Sequence, residues 1–471
     1  MANQEKSRKG AGVAKSFVRG KRTSVNSRIH VVLVPGFAGF DALGQLEYYA
    51  GVTPQFRHWK ERRATDREHV VLHYFDNFPT AAVVTRATRL RDYLVKRIAR
   101  GEYLHDDSIA LVGHSTGGLD IRRLIYDLND ELKENSETHY AVDGTHGSPY
   151  TVPAEALLGM VKHIVFLSVP QFGTNIADWV RAYTLGRQLV VAKLRASVAA
   201  SQVPLLDRFE DCISSFAAKA THLDLLEAVK DTLSEAETAC IADRMQVALA
   251  QEAASELALW LRHIASDFSA IDDLASEVHC GDRTSPAHFT AKMREDEIKT
   301  WEDRGIRRKS YASLGARPFD FDPDLPAPRW DLLNPFSCPE ITCRSRQSPK
   351  TDIVYRTCYR VCAGGPFRYP IIDNLPMPPK LVDESGQQRT IAVWDNDGIV
   401  NTASMLWPNA RETVLVDADH MDMVGHFRRV KATDSDSGRK YQAYNLLKSG
   451  SGFDSDKFAH LWHTVFDFCA S

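Results

Sequence analysis

The chain has 471 residues, 44% of them hydrophobic and 25% charged, which supplies a large core and excludes a disordered or fibrous protein. Its 58 Lys and Arg against 61 Asp and Glu leave a net charge of −3, so no overall field draws it to nucleic acid or an anionic membrane. No stretch approaches the roughly 20 apolar residues of a membrane span, and even Leu189–Leu206 is broken by Lys193 and Arg195.

Residues 1–27 carry Lys6, Arg8, Lys9, Lys15, Arg19, Lys21 and Arg22 against Glu5. They show no apolar run followed by a cleavage site, so a disordered basic arm and a cytoplasmic chain are expected. Strand and helix signals then alternate. Arg28–Val34 and Glu68–Phe75 are β-branched, apolar runs that read as buried strands. From Thr80 to Arg100, Val83, Ala87, Leu90, Leu94 and Ile98 recur at helical spacing. Ser108–Val112 reads as a third strand, Gly117–Leu128 as a helix and Lys162–Ser168 as a fourth strand. Such alternation predicts a parallel, doubly wound sheet over a first core segment, 28–178.

Strand signals vanish after Asn175, and long amphipathic stretches such as Ile241, Met245, Leu249, Ala253, Leu257, Leu261 and Ile264 take over. A Pro-rich exit follows, so a helical cap is expected over 179–350. Strand character at Asp352–Val361, Thr390–Trp394 and Glu412–Val416, with a last helix near Asp456–Phe468, returns the chain to the core over 351–471. Cys338, Cys343, Cys358 and Cys362 fall close together. In a strand, residues four apart are too distant to chelate tightly, which favours free thiols over zinc or disulfides. No resident cofactor is expected.

The sharpest local signal is Gly113-His114-Ser115-Thr116-Gly117, set between a strand and a helix. A nucleophilic hydroxyl raised on a strained strand-to-helix turn needs minimal side chains two residues to either side. The helix N-terminus adds N–H groups where an oxyanion would develop. Ser requires a base and an orienting acid. Asp397 and His420 follow two expected strands, with Asp395 the competing acid. The N–H groups of Thr116 and of Phe37, in Val34-Pro35-Gly36-Phe37, are the candidate oxyanion donors.

These segments resemble the α/β-hydrolase lipases, particularly bacterial triacylglycerol lipases of the Pseudomonas and Burkholderia type. Val31–Gly44 with Glu47–Gly51 is similar to their first strand and oxyanion loop. Ser168–Thr174, Asn396–Val400 and Asp419–Asp422 are similar to three later loops. Pro35 and Gln171 stand where that family usually has His. The resemblance implies an α/β-hydrolase fold with Ser115 as nucleophile, Asp397 as acid and His420 as base. It also implies calcium at Asp422 in those members that bind it.

The expected function is a serine esterase or lipase acting on a small ester, or a lactone, with an apolar portion. Acyl transfer from the same acyl-enzyme and a catalytically silent, ligand-binding protein are the alternatives.

Overall fold

The computed structural model describes residues 27–37, 42–43, 46–62, 69–134, 138–142, 150–182, 269–275, 291–318, 321, 353–364, 378–428, 430–433, 440–443 and 445–471. In chain order these form β1 (Ile29–Val34), β2 (Ala42–Leu43), β3 (Leu46–Glu47), α1 (Val52–Glu61), β4 (Val70–Tyr74) and α2 (Val83–Ala99). Next come β5 (Ser108–His114), α3 (Thr116–Glu134), β6 (His139–Val142), β7 (Tyr150–Pro153), α4 (Ala154–Met160), β8 (Val161–Leu167) and α5 (Asn175–Ala182). Then follow α6 (Ala270–Leu274), α7 (Ala291–Asp303), β9 (Arg307–Ser313), α8 (Ile353–Gly364), β10 (Lys380–Asp383) and β11 (Gln388–Thr390). The chain ends with β12 (Thr413–Val416), β13 (Val430–Thr433), β14 (Lys440–Ala443) and α9 (Ser455–Cys469).

Eight strands make the main sheet in the order β11-β10-β12-β9-β8-β5-β1-β4. All neighbours are parallel except β11, which pairs antiparallel with β10. Side chains alternate across a strand, so each central strand serves two cores. Val32, Val34, Ile109, Leu111, Ile164 and Phe166 pack with α2, α3 and α4. Val31, Leu33, Ala110, Val112, Val165 and Leu167 pack with α1 and α9 on the other face. Burial on both faces explains why these strands read as continuous apolar runs. No helix among the described residues is long and apolar enough to cross a membrane.

Three local expectations are corrected. Asp352–Val361 does not form a strand: α8 occupies Ile353–Gly364. Its Tyr355, Tyr359 and Cys362 recur every three or four residues and are fully buried, so packing overrides the β-branched composition. Cys358 and Cys362 therefore sit one turn apart on a helix, where the spacing itself does not forbid a shared ligand, and neither is joined in a disulfide. Cys338 and Cys343 lie outside the described residues. Thr390–Trp394 is not a strand either; β11 ends at Thr390, and the chain then turns towards Asp397.

The third correction concerns the sheet. β9 lies between β8 and β12 within the stretch expected to be cap, so the core resumes by Arg307 rather than after residue 350. Helix α7 precedes it and buries Trp301 in the core beside α3. The basic arm, apart from its last residue, and most of the expected cap lie outside the described residues.

Candidate active site

Ser115 joins β5 to α3 and holds φ at +54°, a left-handed conformation that costs a side-chain-bearing residue energy and persists where surroundings enforce it. Those surroundings are backbone. The Ser115 N–H donates to Leu167 O at 2.9 Å, and its carbonyl accepts from the Gly118 N–H at 3.1 Å. A Cβ on Gly113 would lie 2.6 Å from Gly118 N, and one on Gly117 would lie 2.3 Å from Val34 O. The two glycines are thus required by close backbone approach on either side of the turn. The fold is the α/β-hydrolase fold. Three features define it here: the nearly all-parallel sheet, helices on both faces, and a serine raised on a strained elbow at the carboxyl end of a central strand.

Two loops at the same end of the sheet bring an acid and a base together. The His420 Nδ1 lies 2.7 Å from Asp397 Oδ2, and the His420 N–H donates to Asp397 O at 3.1 Å. An ionised carboxylate only accepts, so the Nδ1–H is the donor in this bond. Asp397 is fully buried. Its Oδ1 accepts from the N–H groups of Ile399 and Val400 at 3.0 and 2.7 Å, and its Oδ2 also accepts from Ser313 Oγ at 2.6 Å. Four donors thus converge on this carboxyl.

Asp395, the competing acid, does not share this position. Its Oδ2 accepts from the Ala392 N–H at 2.8 Å and its Oδ1 faces Arg317 at 3.7 Å.

Gly36 packs against the elbow: a Cβ there would lie 2.5 Å from Ser115 Cβ. The fully buried Arg86 holds the loop from behind, donating from one terminal nitrogen to Pro35 O at 2.7 Å and Gly36 O at 3.2 Å. Its Nε grips Asp120 on α3. The Gly36–Phe37 peptide is trans. With its carbonyl turned to Arg86, its Phe37 N–H points the opposite way. Thr116 opens α3, whose first-turn N–H groups lack helical acceptors.

A buried hydrogen-bond chain links the loops. The Gly36 N–H donates to Tyr48 Oη at 2.9 Å, and Tyr48 Oη lies 2.6 Å from His114 Nδ1. His114 Nε2 lies 2.9 Å from His420 O. A carbonyl only accepts, so Nε2 is the protonated nitrogen, and Tyr48 therefore donates to Nδ1. Burial, with His420 adjacent, holds His114 well below its ordinary pKa, in keeping with this neutral tautomer. Neither Tyr48 nor Ser313 was flagged by the sequence. Tyr48 lies in a recognised segment without any motif of its own, and Ser313 lies on the unexpected strand β9.

Asp422 turns its Oδ2 to the Asp419 N–H at 2.8 Å and to Ser451 Oγ at 2.9 Å. Burial and the neighbouring Asp419 push its carboxyl well above the carboxylate range, and Asp419 itself is raised to about 6. Among the described residues no group of three or more His, Cys, Asp or Glu side chains is arranged to hold a metal ion. Gln171 accepts from Arg122 through Oε1 at 2.7 Å.

No family model matches the chain, and no curated protein matches it in sequence. Among solved structures it is similar to lipase 1 from Pelosinus fermentans, with 16% identity over 94% of this chain and 99% of that chain and a TM-score of 0.41. It is also similar to a metagenomic carboxyl esterase, with 12% identity over 96% of this chain and 79% of that chain and a TM-score of 0.37. A third is the mature form of a Bacillus licheniformis lipase, with 10% identity over 85% and 89% and a TM-score of 0.35.

Proposed function

We propose that the protein is a serine hydrolase that cleaves carboxylic esters through an acyl-enzyme on Ser115. The observation that carries this reading is the buried Asp397–His420 pair, bonded at 2.7 Å on loops that end at the same sheet edge as the strained Ser115. In the proposed reaction His420 Nε2 takes the Ser115 hydroxyl proton as Oγ attacks the ester carbonyl, and Asp397 stabilises the resulting imidazolium. The N–H groups of Phe37 and Thr116 receive the oxyanion; the loss of one such donor typically costs about 3 kcal/mol of transition-state stabilisation. His420 then returns the proton to the leaving alcohol and activates the water that releases the acid.

The segments that resemble Pseudomonas- and Burkholderia-type lipases support the same assignment, and the proposed substrate is a small ester with an apolar portion. The test is hydrolysis of nitrophenyl esters of increasing acyl length, in solution and as emulsions. The reading predicts hydrolysis by the wild type that Ser115→Ala and His420→Ala each abolish. Full activity in Ser115→Ala overturns it.

A further inference from the structure

Asp397 Oδ2 is shared: it accepts from His420 Nδ1 and also from Ser313 Oγ, which in turn lies 2.7 Å from Ser168 Oγ. Both serines are fully buried. Proton counting fixes the direction of this chain. The carboxylate only accepts, so the single hydroxyl proton of Ser313 goes to Asp397, with Met405 Sδ at 3.5 Å the weaker alternative acceptor. Ser313 Oγ can then only accept from Ser168, which must be the donor. The two hydroxyls form one polarised path that ends on the oxygen facing the imidazole.

The backbone at Ser168 points the same way. Ser168 follows β8 directly and holds φ at +50°, with its N–H donating to Tyr311 O at 2.9 Å. Glycine adopts that conformation freely, whereas a side chain there is strained and indicates that the surroundings demand it. What the side chain supplies is the hydroxyl aimed at Ser313. Adjacent parallel pairing of β8 with β9, through Leu167 and Tyr311, brings the two strand ends together.

We infer that Ser313 is a positioning residue for the Asp397–His420 pair and that Ser168 acts through it, the two hydroxyls tempering the carboxylate charge that reaches the ring. This rests on the ester-hydrolase reading of the same site. Withdrawal of the Ser313 proton leaves more charge on Oδ2, which favours the imidazolium and raises the pH at which His420 becomes a free base. It also removes one of the contacts that fix the carboxyl plane.

The other ionisable groups around the pair are His114, whose ring centroid is 4.7 Å from that of His420, and His426, which faces His114. Asp419 and Asp422 lie on the His420 loop, and Tyr355 and Cys362 on α8. All are unchanged in the variants below, so the comparison isolates the hydroxyls.

The experiment is the pH profile of kcat/KM for nitrophenyl acetate in the wild type, Ser313→Ala, Ser168→Ala and the double variant, with unfolding midpoints in parallel. Ser313→Ala is expected to move the acid limb upwards by about half a pH unit and to lower the plateau about 3- to 10-fold, the scale of one net hydrogen bond in a protein whose acceptor keeps its other donors. Ser168→Ala keeps the same Cβ at φ +50° and removes only the hydroxyl, so it carries the test even where Ser313→Ala fails to fold. It is expected to move the limb in the same direction by less, and its effect should vanish in the Ser313→Ala background.

Limbs that superimpose on the wild type, or a Ser168→Ala shift that persists without Ser313, overturn the inference while leaving the hydrolase reading intact. A wild type that hydrolyses no ester overturns both.

Discussion

At the scale of single residues the site depends on which atom each buried group faces. Asp397 and Asp395 are two positions apart, yet the former meets His420 and the latter caps a loop N–H. Asp397→Asn is therefore expected to lose several orders of magnitude in kcat, whereas Asp395→Asn should lose less than about tenfold; steady-state kinetics on one soluble ester distinguishes them. Tyr48→Phe removes a group that both accepts from Gly36 and donates to His114. It leaves a buried N–H and a buried ring nitrogen without this partner, at roughly 1–3 kcal/mol. Because Gly36 borders Ser115, that change should appear as a 10- to 100-fold fall in kcat/KM as well as a lowered unfolding midpoint. Gly36→Ala should be more severe, since its Cβ would overlap Ser115 Cβ, Tyr48 Oη and His114 O.

At the scale of elements, strands buried on both faces announce themselves as apolar runs, and β1, β5, β8 and β12 fall where such runs predict; β4 falls where its run predicts a strand, but at the sheet edge, with only Val70 buried. The elbow was legible too, because its glycines, strand and helix are contiguous. β9 was not: its sequence opens with Arg307, Arg308 and Lys309, and only its carboxyl half is buried. The charged half is reconciled with a central position by side chains that reach the sheet end, as Arg308 does to Glu412 at 3.0 Å. Without β9 the sequence offered no means of seeing Ser313. α8 was misread for the converse reason, since β-branched residues lie beside a helical stripe of Tyr355, Tyr359 and Cys362. The interlock of α3 with α7 was equally invisible, because it joins residues 175 positions apart in sequence. There Arg122 donates to both Glu297 oxygens, at 3.0 and 2.7 Å, in a fully buried pair capped by the Trp407 ring. Removal of one partner strands a buried charge, so Arg122→Ala should cost about 3–5 kcal/mol, whereas an apolar replacement of both should cost far less. Denaturant midpoints of the two single variants and the double variant test this.

At the scale of the whole molecule, protonation divides the folded from the unfolded state. Burial lowers the pKa of His163 to about 4, with Arg307 adding to the effect. The native state then resists a proton that the unfolded chain accepts below about 6.5. The sign follows: stability attributable to His163 is fully present above pH 6.5 and is lost as pH falls towards 4. At pH 5 that loss is about 2 kcal/mol. Asp419, raised by burial to about 6, has the opposite sign and costs stability as pH rises from about 4 to 6. The comparison is therefore made between variants: His163→Phe should flatten the fall in unfolding midpoint between pH 7 and pH 5 relative to the wild type, and an unchanged slope would count against a buried neutral ring. The same sheet that buries these groups brings Ser115, Asp397 and His420 to one edge, and the central claim is that Ser115 is the nucleophile there. The most direct measurement is mass spectrometry of the chain after treatment with a fluorophosphonate. A single adduct on the peptide containing Ser115, lost in Ser115→Ala and in His420→Ala, is the predicted result; an unlabelled wild type, or an adduct on another residue, contradicts it.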